Sequence, residues 1–136
     1  MKSLRYLLLL TVTLLTMGAS AKIEKTNQMY MYGFSASFKD SVIYVTDIQN
    51  VQGAWIETKT KFLVERDEYS RQLKDYLADK LQQPGRVCMV FFHTKKSKAE
   101  KQFLKLMKKY QKGYEVRHLN ATEFKFEAVD TSSGAQ

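Results

Sequence analysis

The sequence has few of the residues that constrain a chain covalently or conformationally. Cys88 is the one cysteine and Pro84 the one proline among 136 residues, and glycine occurs six times. A lone cysteine excludes an internal disulfide, so the chain is not a small disulfide scaffold and has to be stabilised by a hydrophobic core. The sequence also lacks internal repeats. These absences predict one compact domain.

The long apolar run lies at the start of the chain. Lys2 and Arg5 precede the run at residues 7–15, and Ala-Ser-Ala follows at 19–21. This order is typical of a secretory signal peptide, and the run is short for a membrane anchor. Export of a chain without a disulfide is typical of bacteria. We therefore expect cleavage of residues 1–21, export to the periplasm or beyond the cell, a single domain at 22–129 and a disordered tail at 130–136.

Aromatic and small residues alternate near residue 30, and a β-branched run at 42–46 follows a short polar turn. The aromatic-rich positions are Tyr30, Tyr32, Phe34, Ala36 and Phe38. This period of two predicts a strand, and the short turn predicts an antiparallel hairpin with the strand at 42–46. The aromatic face is expected to pack on the core. The small residues opposite, such as Gly33, would let a helix approach closely.

Apolar residues at helical spacing predict two helices. The first is expected to start behind Asp67 as its N-cap, and its stripe is Tyr69, Leu73, Tyr76, Leu77 and Leu81. The second is expected to start at Lys98, because Ser97 and Glu100 have capping-box spacing, and to stop before Gly113 as a left-handed C-cap. The pattern leaves the structure of residues 54–64 open.

The segment from 87 to 119 predicts the architecture most directly. Residues 87–92 are a continuous apolar run, which is typical of a strand buried on both faces. With the second helix and a strand at 114–119 they form a βαβ unit of neighbouring parallel strands. A last strand is expected at 124–127. The predicted fold is α/β or α+β, a single-domain layered sandwich on a mixed sheet, with an N-terminal β-hairpin and a C-terminal βαβ unit.

Several short segments are similar to those of a known group of proteins. They are Tyr-Gly-Phe at 32–34, Trp55-Ile56 with residues 58–63, Tyr69-Ser70 and Val-Phe-Phe at 90–92. With these segments the chain resembles small exported proteins of unknown function from gut Gram-negative anaerobes. The resemblance covers nearly all of the chain after residue 21. It implies export and a single domain, and it implies no site, because the motifs belong to no reaction mechanism.

His93 and His118 end the two strands of the predicted βαβ unit. Ligands bind beyond the carboxyl ends of strands in open α/β sheets, so the two imidazoles could bind a metal ion or supply a general base. Such an enzyme would need an acid such as Asp47 or Glu123 nearby. No HxH, HExxH or GxSxG motif accompanies the histidines, and histidine is also ordinary at a strand end. We therefore assign no catalytic residue and no cofactor.

Positive charge is concentrated in one segment. The formal net charge is +8, and residues 95–112 hold eight lysines against one acid, Glu100. The expected polyanion-binding face carries Lys98, Lys101, Lys105, Lys108, Lys109 and Lys112. It could hold an anionic polymer or a membrane surface, or it could simply be a solvated face. No nucleic acid is expected, because Phe103 and Tyr110 lie on the buried stripe and leave no platform for bases.

Trp55 and Cys88 are the remaining candidates. Trp55 would bind a ligand if exposed and close the core if buried. Cys88 is expected in the core, since its neighbours are apolar.

The sequence favours an exported, non-enzymatic binding or interaction module. One alternative is a small hydrolase or metal-dependent enzyme that uses His93 and His118. Another is a peripheral protein that holds anionic surfaces through the lysine-rich helix. A homodimer through a sheet edge is compatible with the predicted last strand.

Overall fold

A computed structural model describes residues 22–130. Within this range the chain forms seven strands and two helices. The strands are β1 (Ile23–Thr26), β2 (Tyr30–Ala36), β3 (Val42–Thr46), β4 (Gln49–Asn50), β5 (Ala54–Glu57), β6 (Val87–His93) and β7 (Glu115–Leu119). The helices are α1 (Arg66–Lys80) and α2 (Lys96–Tyr110). Neither described helix has the length and apolar character needed to cross a membrane. The predicted signal peptide and residues 131–136 lie outside the described residues.

The strands form two sheets. β1 and β5 pair antiparallel into a small sheet. The other five make a mixed sheet in which β6 pairs with one side of β2, β3 and β4 share its other side, and β7 pairs with β3. With the two helices this is an α+β single-domain fold with an N-terminal hairpin, so the predicted fold class is confirmed.

β2 is the central strand. Aromatic and small side chains alternate along it, and this alternation decides which helix covers each face of the sheet. The ring of Tyr32 lies edge-on to Phe103 of α2, with centroids 5.2 Å apart, and the ring of Phe34 lies 5.0 Å from Tyr110. The opposite face turns Gly33 toward α1. A Cβ on this glycine would lie 2.6 Å from Cδ2 of Leu73. The predicted aromatic face and the predicted close approach of a helix are both confirmed.

Phe38 is exposed, unlike Tyr32 and Phe34, which precede it in the alternating pattern. β2 ends at Ala36, and Phe38 lies in the turn between β2 and β3, where its side chain is fully exposed. The expectation that Phe38 packs on the core is wrong, because the strand stops before the period of two reaches it.

The apolar run of residues 87–92 lies in an edge strand. β6 pairs antiparallel with β2, from Val87 opposite Ala36 to His93 opposite Tyr30, and no described strand pairs with its other side. Val87 and Met89 are each 49% exposed. The prediction that both faces are buried is therefore wrong. A continuous apolar run is typical of a buried strand, but here the face that carries Val87 and Met89 is only partly covered.

β6 and β7 run in the same direction, as the βαβ prediction requires, yet they are not neighbours. β7 pairs in parallel with β3, from Val42 opposite Glu115 to Thr46 opposite Leu119. The hairpin strands β2 and β3 lie between β6 and β7. The prediction of adjacent strands is wrong because each of the two pairs with a free side of the central hairpin.

Both helices begin without the predicted caps. α1 begins at Arg66, which places Asp67 in the first turn, and α2 begins at Lys96, which places Ser97 inside the helix. Neither N-cap side chain makes a capping hydrogen bond. Gly113 adopts a left-handed φ of 96° in the turn after α2, as expected of a residue that stops a helix. The stripe of α1 is confirmed by its fully buried residues, Tyr69, Leu73 and Leu77.

The segment after β7 contains no strand within the described residues, so the last strand predicted at 124–127 is wrong. Two glutamine side chains hold this segment instead. Nε2 of Gln49 donates to the Phe124 carbonyl and its Oε1 accepts from the Phe126 N–H, both at 2.8 Å. Gln72 does the same with the backbone of Glu127, at 2.9 Å. Each amide presents a donor beside an acceptor and so takes the place of a paired strand.

The segment whose structure the sequence leaves open is partly a strand. β5 contains Trp55 and pairs with β1, with Lys25 opposite Trp55. The small sheet lies beside the main one, and Ala54 and Ile56 enter the shared core.

We expect Gly33→Ala to lower the free energy of unfolding by about 1–3 kcal/mol, because the added methyl has to displace Leu73. Urea denaturation measures this effect. The double variant with Leu73→Ala should lose less than the sum of the two single losses, since the second change removes the clash. A wild-type midpoint for Gly33→Ala would contradict the close approach.

Candidate functional site

The pairing register of β2 and β6 shows which backbone groups of β6 point away from β2. The N–H and C=O of one residue in a strand point to the same side, and successive residues alternate. The N–H of Gly33 donates to Oγ1 of Thr46 at 2.8 Å, so Gly33 points toward β3. Its neighbours Tyr32 and Phe34 therefore point toward β6.

The partners of Tyr32 and Phe34 on β6 are Phe91 and Met89, which point back toward β2. The residues between and beside them point outward. Cys88, Val90 and Phe92 thus present N–H and C=O groups to the open edge, and no backbone hydrogen bond of the described residues uses them.

The open edge lies in a groove between the two helices. The groove has a volume of about 280 Å³, and its walls are β6 residues 88–92, the first turns of α1 and one residue of α2. The helical residues in these walls are Arg66, Asp67, Ser70 and Gln102. A second groove of about 420 Å³ shares Asp67, Ser70 and Cys88 with the first and continues along α1 to Lys74. Together they follow the length of β6.

Positive side chains flank this groove on both sides. Lys105 and Lys109 of α2 line the cleft between that helix and Phe91. Arg66 and Lys74 stand on the α1 side, with Asp67 as the one acid among the lining residues of these clefts. The groove is therefore apolar along the strand and positive at its rims.

Cys88 lies in this groove and is not activated. Burial raises the pKa of its thiol, and a hydrogen bond to Oγ of Ser35, at 3.5 Å, lowers it less. A thiol with a raised pKa is protonated at neutral pH and is a poor nucleophile. The side chain packs against the core, as predicted.

The two histidines are not brought together. By register both lie on the α2 face of the sheet, but His93 is on β6 and His118 on β7, with β2 and β3 between them. At about 4.8 Å per strand they are roughly 14 Å apart across the sheet, which is too far for one metal ion. The sequence leaves open whether the two histidines converge, and the separation of their strands removes the convergence that the alternative of a metal-dependent enzyme requires. The described residues contain no group of three His, Cys, Asp or Glu side chains that could hold a metal.

Asp47, one of the acids expected near the histidines, does lie beside His118. The register of β2 shifts by one residue between its pairings with β3 and β4, which marks a bulge that turns Asp47 toward β7. Its Oδ1 is hydrogen-bonded to Nε2 of His118, and its Oδ2 accepts from the N–H of Ala121 at 3.2 Å. Nothing in the sequence indicates this bulge. In the described part of the chain no hydroxyl or thiol hydrogen-bonds to the two side chains, and the carboxylate of Asp47 links the end of β3 to β7 and to the turn after β7.

The six lysines of the predicted polyanion-binding face are all exposed on α2 or just after it. They are Lys98, Lys101, Lys105, Lys108, Lys109 and Lys112. None forms an ion pair with a carboxylate in residues 22–130. Leu104 is exposed among them. The face has the charge that the sequence predicts, and its ligand stays a prediction.

Trp55 is partly buried. Its Nε1–H is shielded from solvent and has no hydrogen-bond partner in the described range, and Nζ of Lys25 lies 5.9 Å from the ring centroid. The indole nitrogen is therefore covered by the fold, and a ligand-binding role for Trp55 stays a prediction.

No family model, curated protein or solved structure matches the chain. The resemblance to exported proteins of gut Gram-negative anaerobes stays a prediction. The function is therefore inferred from the geometry of the described residues.

His93 gives the stability of the fold a dependence on pH. Partial burial lowers its pKa from 6.5, and the charges of Lys98 and Lys95 lower it further. His93 in the folded state binds a proton less readily than in the unfolded chain. Its neutral form therefore contributes fully to the free energy of unfolding above pH ~6.5, and this contribution is lost as the pH falls below that value. We expect His93→Gln to lose less stability than wild type between about pH 7 and 5, measured by urea denaturation. Parallel losses in the two proteins would contradict the lowered pKa.

Proposed function

We propose that this chain is an exported, non-enzymatic binding module that takes an extended peptide of a partner protein along β6. One observation carries the proposal: β6 is a seven-residue edge strand that contains no Lys, Arg, Asp, Glu or Pro, and no strand in residues 22–130 pairs with its outer side. Such an edge is a template for another strand. Main-chain hydrogen bonds would supply affinity, and the groove walls would supply specificity. The order of basic, apolar and small residues at 1–21 supports export.

β7, at the other edge of the sheet, has features that protect an edge strand from pairing with other chains. β7 has five residues, and Glu115 and Arg117 form an ion pair at 3.2 Å on its exposed side. Short length and charge are the usual means by which an edge avoids pairing with other chains. β6 has neither, and this contrast within one sheet supports a binding role for β6.

The charges at the rims favour an acidic peptide. A strand added to β6 would place alternate side chains toward α2, where Lys105 and Lys109 stand. The remaining side chains would face α1, where Arg66 and Lys74 stand. Carboxylates next to apolar residues would complement both the rims and the apolar strand.

A second copy of the chain is the competing occupant. Two β6 strands paired antiparallel would form one continuous sheet with both α2 helices on the same face. The exposed lysines of the two helices would then repel each other, which disfavours a homodimer through this edge. The homodimer predicted through the last strand has no basis in residues 124–127, because they form no strand.

We expect a peptide of about eight residues with the repeat Val-Val-Glu-Glu, which presents glutamate to both rims, to bind along β6. The decisive variant is Cys88→Pro. Proline removes an outward N–H and no internal ladder bond, so the domain should fold while peptide affinity falls roughly tenfold. Fluorescence anisotropy of the labelled peptide measures the affinity.

Cys88→Ala is the matched control, since it removes the thiol and keeps the N–H, and it should bind like wild type. Thermal unfolding of both variants checks that the fold is retained. A peptide with lysine in place of glutamate should bind more weakly than the acidic peptide. Equal affinity of Cys88→Pro and wild type would contradict strand addition, and a concentration-dependent dimer in sedimentation would favour the second copy.

A further inference from the structure

The tip of the β2–β3 hairpin is an exposed surface outside the peptide groove. Phe38 at this tip is fully exposed. The turn around it is ordered by local hydrogen bonds, from the Lys39 N–H to Oγ of Ser37 at 3.1 Å and from the Val42 N–H to Oδ1 of Asp40 at 3.0 Å. A large apolar side chain is thus held in water by an ordered turn.

The turn after α2 lies at the same end of the sheet. The N–H of Glu115 donates to the Ser41 carbonyl at 2.9 Å, which places Tyr114 next to the hairpin turn. Tyr114 is 45% exposed, and its ring packs on Tyr110 with centroids 5.5 Å apart. This end of the molecule therefore presents two exposed aromatic side chains.

The charges at this end are positive. Lys39 flanks Phe38, and Lys112 lies in the turn that leads to Tyr114. The acid of the hairpin turn, Asp40, is paired with the buried guanidinium of Arg86 at 3.2 Å. The other acid at this end, Glu115, forms an ion pair with Arg117 at 3.2 Å. Neither carboxylate forms an ion pair with Lys39 or Lys112 among the described residues.

We propose that this tip docks on an anionic lipid surface. Phe38 would enter the boundary between head groups and acyl chains, and Lys39 and Lys112 would lie against the phosphates. Tyr114 would sit at the level of the head groups, where tyrosine is favoured. The proposal differs from attachment through the whole lysine-rich helix, because only the C-terminal end of α2 takes part.

The test measures sedimentation of the chain from Lys22 to Gln136, which contains the whole described fold, with vesicles of phosphatidylglycerol and phosphatidylcholine. Phe38→Ser should lower the fraction bound about fivefold, and the pair Lys39→Glu and Lys112→Glu should abolish binding. Lys96→Glu with Lys98→Glu is the matched control. It makes the same charge change at the other end of α2, about 20 Å away, and should retain most of the binding.

Three results would overturn the proposal: no binding to the anionic vesicles, unchanged binding of Phe38→Ser, or an equal loss for the control pair. Thermal unfolding of each variant shows whether the fold is intact, and none of these side chains belongs to the core. The test is independent of the peptide groove, since Cys88→Pro should bind vesicles like wild type.

Discussion

The contact between Gly33 and Leu73 sets the spacing on which the rest of the molecule depends. β2 passes between two helices, with a glycine facing α1 and the ring of Tyr32 facing α2. Because Gly33 places no side chain between β2 and Leu73, α1 lies close beneath β2 and β6. Its first turns, with Arg66 and Ser70, then form one wall of the groove along β6. The position of the candidate site follows from the packing at the centre of the sheet.

Much of this arrangement could be predicted from local patterns. The alternation around Tyr32 predicted the central strand and its two unlike faces, and the repeat of Tyr69, Leu73 and Leu77 predicted the buried side of α1. These signals are strong because a side chain's position along a strand or helix decides which face it occupies. Helix starts were less predictable, since neither helix uses a capping side chain.

The candidate site could not be predicted, because it depends on which strands are neighbours. The apolar run at residues 87–92 is typical of a central strand, and only its pairing with β2 shows that the strand lies at an edge. The same missing information made His93 and His118 look like neighbours. The bulge that turns Asp47 toward His118 depends on a one-residue change of register. The lysine positions were predictable from helical spacing, whereas the groove they flank was not.

Amide hydrogen exchange along β6, followed by NMR, tests the central claim that this strand has an open edge. If its outer side is unpaired, the outward amides of Cys88, Val90 and Phe92 should exchange clearly faster than the inward amides of Met89 and Phe91. Equal protection of all five amides would show that another part of the chain or a second copy covers the edge. In that case β6 would not be free to take a peptide strand.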